Sequence, residues 1–428
     1  MNEIQTRLNA LGTEMPGILL PRRGIELSKW AVIACDQFTQ DPGYWERVKA
    51  LVGGAPSCLC MILPEVYLGD EGAGTRPQRI RDIRSTMNTY MRGDIFAPPR
   101  RCVIYLERST PLHPRRRGLV LSVDLEQYDW APESRRLIRS TEGTVKERLP
   151  PRMEIRRNAP LELPHILLLI DDKEDRLIPS LGEIARKQTP LYETALMMNS
   201  GAVTGWALDS GEALTVLADG LETLAGKSVA RYGRGASGES PFLFAVGDGN
   251  HSLATAKAVW EEYKKEHAGE AGLDNHPARW ALVEAVNLYD PGISFEPIHR
   301  VIFGIEPSAL LETLSGIENL ECILEFPGSR VIRIENRSSA LATASLQPVL
   351  DGFIKQKGCA IDYIHGKDEV FRITSDPAKR AVGLILPPVQ KEGLFETVAA
   401  AGPLPRKSFS MGSAEEKRFY LECRRLFG

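Results

Sequence analysis

The sequence predicts an α+β protein built on mixed sheets, and three observations carry that expectation. Short β-branched or alternating apolar runs, bounded by turn residues, recur along the whole chain. Amphipathic helical stretches lie between them. The two kinds of element intermix without the regular strand–helix–strand rhythm of a parallel sheet.

Taken in order, the first strands are expected at WAVIAC (30–35) and SCLCMILP (57–64), where Cys58 and Cys60 would share one face as packing residues. TRPQRIRDIRSTMNTYMRG (75–93) reads as the first long helix. Strands follow at RCVIYLE (101–107), GLVLSVDLE (118–126), HILLLIDD (165–172) and AVTGWALD (202–209), then a helix at GEALTVLADGLETLAGK (211–227). Within PFLFAVGDG (241–249), Phe242 to Val246 is a continuous apolar run, as expected of a strand buried on both faces. The helix after it, 252–265, carries Leu253, Ala256, Trp260 and Tyr263 at spacings of three and four, one stripe that must pack on the sheet.

Beyond this point ARWALVEAVN (278–287), PSALLETLSGI (307–317), LQPVLDGFIKQKG (346–358) and the C-terminal SAEEKRFYLECRRLF (413–427) read as helices. ISFEPIHRVIF, RVIRIE, CAIDYIHG and AVGLILPP read as strands. The Pro- and Arg-rich tract at 147–164 suggests a boundary near residue 155, and FPGSR (326–330) a weaker one. Three regions are expected: an α/β region 1–155, a central region 156–305, and an α+β region 306–428.

Composition excludes several classes of function. The 428 residues are 43% hydrophobic and 25% charged with a net charge of −3, enough to bury real cores and with no basic excess to draw nucleic acid or an anionic membrane. Seven scattered cysteines without a Cys-x-x-Cys pair suit a reducing, cytoplasmic setting. The N-terminus lacks the pattern of a signal peptide, and no apolar run is long enough to span a membrane. Walker A, Gly-x-Gly-x-x-Gly, Gly-x-Ser-x-Gly and His-Glu-x-x-His are all missing. Oligomeric state is open, since Tyr44, Trp45 and Trp206 suit cores and interfaces alike.

The chemistry concentrates in AVGDGNHSLATAKAVWEEY (245–263), where an apolar strand turns into a helix through Gly-Asp-Gly-Asn-His. Gly247 and Gly249 permit unusual backbone angles and close approach of a ligand, and Asn250 is the expected N-cap. Helix N–H groups and the positive end of the dipole make the turn suited to an anion, above all a phosphate. A carboxylate beside a phosphate repels it unless a metal, a cation or a proton lies between, so Asp248 is a candidate magnesium ligand or general base. His251 could donate to a phosphoryl oxygen or move a proton. The same turn could also simply end a strand and cap a helix.

VGDGNHSLATAKAVWEEY, together with ACDQFTQDPGYWERV, IRSTEGTVKERLPPRMEIRRNAPLELPHILLLIDD, PLYETALMMNSG, FEPIHRV and LPRKSFSMGSAEEKRFYLE, resembles the DUF1015 family of uncharacterised bacterial proteins over nearly the whole chain. The family's central Asp-Gly-His-His-Arg motif is similar to the phosphate-binding turn of the ParB/sulfiredoxin-like superfamily, which includes nucleotide-dependent enzymes. The resemblance implies a central ParB/sulfiredoxin-like portion with Asp248, Gly249 and His251 matching directly. Asn250 stands for the first His and Ser252 for the Arg, whose bidentate grip on phosphate a hydroxyl cannot reproduce. Arg300, Lys407 and Arg139 are the candidate replacements, each with an alternative as an ion-pair partner. Glu142 in RSTEGT is the carboxylate best placed to activate an acceptor hydroxyl, and Asp36 in ACDQF and the pair Asp171 and Asp172 are lesser acidic candidates. His165 adjoins a proline at an expected strand edge.

The expected protein binds a phosphorylated small molecule, such as the nucleotides ATP, ADP or CTP with Mg2+, and transfers or hydrolyses a phosphoryl group. Asp248, His251 and Glu142 are its catalytic residues; Gly247, Gly249, Asn250, Ser252, Arg139, Arg300 and Lys407 bind the ligand. The alternative is a non-catalytic sensor that uses the same pocket.

Overall fold

The computed structural model describes residues 2–39, 41–69, 76–233, 241–315, 322–325, 332–334, 339–387 and 390–427. The possible break at FPGSR lies outside them. The chain is α+β with mixed sheets, and it divides into two compact units. Unit 1 holds residues 1–140, 144–293 and 414–428; unit 2 holds 141–143 and 294–413. This differs from three consecutive regions because the C-terminal segment returns to unit 1: Phe419–Tyr420 pairs with Val32–Ile33, and Arg424–Arg425 with Leu161–Glu162. The Pro-rich tract near 155 forms a helix, Leu149–Arg156, whose Leu149 and Met153 pack with Ala254 and Val259 inside unit 1.

Unit 1 is organised by a ten-stranded sheet. Its order is Tyr192–Ala195, Ala202–Leu208, Val103–Ser109, Arg116–Asp124, Trp280–Asn287, Leu167–Ile170, Phe244–Asp248, Ile138–Ser140, Tyr128–Asp129, with Thr13–Glu14 joined to Arg116–Asp124. Leu167–Ile170 runs parallel to Trp280–Asn287 and antiparallel to Phe244–Asp248, in a register that sets Leu167 opposite Asp248. The entrance of one strand is thereby laid beside the exit of the other. Ile138–Ser140 runs parallel to Phe244–Asp248 with Ser140 opposite Val246, so it too ends at the same edge. The helix Asn250–Glu266 buries Leu253, Ala256 and Trp260 from the expected stripe, each large apolar side chain contributing about 2 kcal/mol of burial.

Unit 2 carries a six-stranded sheet in the order Ile332–Ile334, Cys322–Glu325, Ala381–Ile385, Phe295–Phe303, Ala360–His365, with Phe409–Met411 joined to Phe295–Phe303. One face is covered by the cluster of Ile302, Leu310, Leu346, Leu350 and Phe353.

Three predicted elements take another form. Residues 278–287 are the strand Trp280–Asn287, buried at every position, because hydrogen bonding to strands on both sides outweighs a helix-like apolar spacing. The C-terminal residues form a 3-10 turn, Ala414–Glu416, and the two short strands already named, because Phe419, Tyr420, Leu421, Cys423 and Leu426 are all buried, more than one helical stripe could hide. Residues 57–64 fold as the 3-10 helix Cys58–Met61, started by Ser57 Oγ accepting from the Leu59 amide at 3.2 Å. Among the described residues no helix is long and apolar enough to cross a membrane.

Candidate functional site

The turn after Phe244–Asp248 is built around one glycine. Gly249, not Asn250, is the N-cap of the helix, and its φ of +81° lies in the left-handed region. A Cβ there would stand 3.1 Å from Ile166 Cγ1 and 3.2 Å from Ile166 Cα, so backbone angle and space both demand glycine. Asn250 becomes the first helical residue, and its Oδ1 accepts from Ser140 Oγ at 2.5 Å. That bond ties the helix start to the end of the neighbouring parallel strand. His251 Nε2 accepts from the Val145 amide at 3.3 Å, which makes Nδ1 its protonated nitrogen.

Two basic groups that the sequence reading did not select meet this turn. Lys417 places Nζ 3.2 Å from Asp248 Oδ2, with the two side chains 7% and 21% exposed. His165 places Nε2 2.8 Å from Ser252 Oγ, and its Nδ1 lies 2.8 Å from the Tyr420 hydroxyl. Tyr420 in turn donates to Cys35 Sγ at 3.0 Å and accepts from the Cys35 amide at 3.4 Å. Asp36, a quarter exposed, has Oδ2 3.9 Å from His165 Nε2. The sheet explains each arrival. His165 lies two residues before Leu167, the strand residue opposite Asp248, and Tyr420 is opposite Val32, three residues before Cys35.

Electrostatics divide the cluster. Burial pushes the Cys35 thiol and the Tyr420 phenol above their ordinary values, so both stay protonated at neutral pH. Burial also raises the Asp36 carboxyl, but the His165 ring, the Gln37 amide and the Lys417 ammonium outweigh it and hold the group below the usual carboxylate range. An ionised Asp36 and a neutral Tyr420 therefore flank the same imidazole.

The ten residues read as a site from sequence are divided between the units. Asp248, His251, Gly247, Gly249, Asn250, Ser252 and Arg139 belong to unit 1; Glu142, Arg300 and Lys407 belong to unit 2. Arg139 lies over the Phe242 ring, 4.5 Å from guanidinium carbon to centroid, and donates Nε to the Arg136 carbonyl at 3.0 Å. Arg300 is fully buried, donating Nε and Nη2 to Gln347 Oε1 at 3.2 Å and Nη1 to the Ile298 carbonyl. Burial lowers its pKa to about 10. Glu142 accepts from the Ser408 amide at 3.0 Å, with the Lys407 and Phe409 amides also bonded to its carboxylate; burial nonetheless keeps its pKa raised. Lys407 itself has a φ of +61° within that loop. Asp171 is bonded to Arg231, Tyr232 and Tyr289, and Asp172 caps the Arg176 and Leu177 amides. Among the described residues no group of three or more His, Cys, Asp or Glu side chains could hold a metal ion.

The class defined by this architecture is an α+β protein of two units, with a polar strand-end turn in unit 1. The chain belongs to DUF1015, a protein family of unknown function whose model matches residues 19–423. Among solved structures it is similar to a conserved hypothetical protein from Pyrococcus furiosus, at 10% identity and a TM-score of 0.35 over 72% of this chain and 95% of that one. A free serine kinase in complex with AMP matches at 10% identity and a TM-score of 0.38, over 70% and 90% of the two chains. SbnI from Staphylococcus aureus, with a C-terminal truncation, matches at 10% identity and a TM-score of 0.34, over 68% and 82%. A search of curated proteins finds no match.

Proposed function

We propose that the turn at 247–252 binds the phosphate of a small molecule, such as a nucleotide, and that the protein transfers or hydrolyses a phosphoryl group there. The observation that carries this reading is the Lys417 ammonium 3.2 Å from Asp248 Oδ2 at the start of a 17-residue helix. A bare carboxylate at a helix N-terminus would repel an anion. With the ammonium against it the local charge is balanced, and the positive end of the helix dipole is left to attract phosphate. Lys417 thus supplies the cation that the family's arginine would otherwise provide, although an ammonium holds phosphate as a point charge rather than by a planar fork.

In this scheme the N–H groups of the helix's first turn hold phosphate oxygens beside Ser252, His251 donates through Nδ1, and Lys417 neutralises charge that develops on the transferred group. Asp248 is the carboxylate within the turn that would meet a magnesium ion carried in on the ligand's own phosphates, and its Oδ2 already faces Lys417. Glu142 enters as the carboxylate that organises the 407–409 loop.

The test is thermal unfolding of the wild type, His251→Ala and Lys417→Met against ATP, ADP, CTP and pyrophosphate, each with and without magnesium. A ligand that binds only the folded state raises the midpoint as its concentration exceeds Kd. A rise with one of these ligands that is lost in both variants is the expected result; no rise with any of them in folded protein removes the phosphate reading. Substitution of serine for the family's arginine favours the sensor alternative, which would give the same rise without release of phosphate.

A further inference from the structure

We infer that Ser252 is a nucleophile activated by His165, so that the phosphoryl group passes through a covalent phosphoserine on the first turn of the helix. This rests on the phosphate reading for the identity of the electrophile. The nucleophile and its base stand on the hydrogen-bond chain alone.

That chain runs from Ser252 Oγ to His165 Nε2 at 2.8 Å, from His165 Nδ1 to the Tyr420 hydroxyl at 2.8 Å, and from Tyr420 to Cys35 Sγ at 3.0 Å. Its direction follows from counting protons. Tyr420 has one proton to donate and gives it to Cys35 Sγ, so toward His165 its oxygen is an acceptor. His165 then carries its proton on Nδ1, which leaves Nε2 basic and facing the Ser252 hydroxyl. A nucleophile, a base within hydrogen-bond reach and a third group that fixes the base's tautomer are the parts a serine needs to become reactive. Tyr420 is the positioning residue here, and its high pKa keeps it a neutral partner rather than a competing base. Ser252 and His165 are both only partly buried, the imidazole 11% exposed, so a ligand can approach them.

The step balances without any further reagent. As the bond from Ser252 Oγ to phosphorus forms, the bond from phosphorus to the leaving oxygen breaks; the serine proton moves to His165 Nε2 and from there to the leaving oxygen. In the second half a water, or an acceptor hydroxyl, gives its proton to Nε2 and attacks phosphorus, and Ser252 leaves with the proton that His165 holds. A phosphoserine in the first turn of a helix is favoured by the dipole while it lasts.

The experiment treats the full chain with an alkyl fluorophosphonate, which forms a stable bond to an activated serine with loss of fluoride, and maps the adduct by mass spectrometry. One adduct per chain on Ser252 is expected, absent in Ser252→Ala, on the order of a hundredfold slower in His165→Gln and several-fold slower in Tyr420→Phe. Wild-type protein that stays unlabelled, labelling spread over other serines, or equal rates in His165→Gln would overturn the inference. The wild-type result decides even if His165→Gln does not fold. ATP, ADP, CTP and pyrophosphate are tested in parallel by thermal unfolding: label without a midpoint rise for any of them keeps the nucleophile and removes the phosphate reading, and a rise without label removes the nucleophile alone.

Discussion

The turn of unit 1 and the buried polar residues of unit 2 contain the same kinds of side chain put to different use. In unit 1, Ser252, His165 and Tyr420 are joined to one another through their side chains and Asp248 is ion-paired with Lys417, partners drawn from segments far apart in sequence. In unit 2, Glu142 and His299 hold main-chain groups, the amides of the 407–409 loop and the Leu386 amide at 3.1 Å from His299 Nδ1, and Arg300 holds the Ile298 carbonyl together with the Gln347 side chain. A polar side chain bonded to backbone satisfies a group that would otherwise be buried unpaired, so its removal should cost stability. A side chain bonded to another side chain at a partly exposed strand end can rearrange around a ligand. The two units differ in what these side chains bond to and not in residue type.

The sharpest way to break this comparison is Glu142→Ala, which leaves the amides of Lys407, Ser408 and Phe409 without their acceptor. A loss of about 3 kcal/mol in urea unfolding is expected, with pyrophosphate affinity unchanged within about twofold. An affinity loss with stability intact would return Glu142 to the ligand site.

Acid is the next probe. Burial first, and then the Lys367, Arg300 and His365 charges, push the His299 pKa down to about 4, while the unfolded imidazole titrates near about 6.5. The unfolded state therefore binds the proton first. Stability from this group is complete above about pH 6.5 and is lost as the pH falls toward 4, by roughly 2–3 kcal/mol. Unfolding measured at pH 7 and pH 4.5 should show that loss in the wild type and less of it in His299→Phe; equal losses would refute the assignment.

Lys417→Met should do the reverse of Glu142→Ala. Calorimetry is expected to show pyrophosphate binding weakened about thirtyfold, near 2 kcal/mol, while the unfolding free energy changes by less than about 1 kcal/mol because Asp248 can be solvated. Unaltered binding would detach Lys417 from the site.

The smallest effect is expected for Gly249→Ala, at about 1–2 kcal/mol in urea unfolding, from a left-handed backbone and a Cβ pressed on Ile166. A neutral or stabilising change would mean that the turn relaxes freely and does not need its observed shape.

The strand and helix around the turn were legible because local rules set them: a five-residue buried strand, a glycine pair, and an apolar stripe of helical period. The mixed α+β class was legible for the same reason. Asn250 was misplaced by one position, since a side-chain cap is common there and the left-handed Gly249 shows only in the backbone. Trp280–Asn287 was misread because a strand buried on both faces carries the apolar residues of a buried helix, and only its neighbours distinguish them. Lys417 and Tyr420 were hidden inside a segment that reads as an amphipathic helix, and His165 beside a proline gave no sign of chemistry.

The sequence by itself determined the class of fold, the position of the glycine turn and the start of the helix after it, because each depends on residues within a few places of one another. Only the tertiary structure decided which side chains meet that turn. The antiparallel register of Leu167 with Asp248 and the return of Phe419–Tyr420 to Val32–Ile33 bring His165, Tyr420 and Cys35 into one hydrogen-bonded chain, and Lys417 arrives on the same returning segment. Long-range pairing is set by how buried surfaces and backbone hydrogen bonds are satisfied across the whole unit, and no local pattern encodes it.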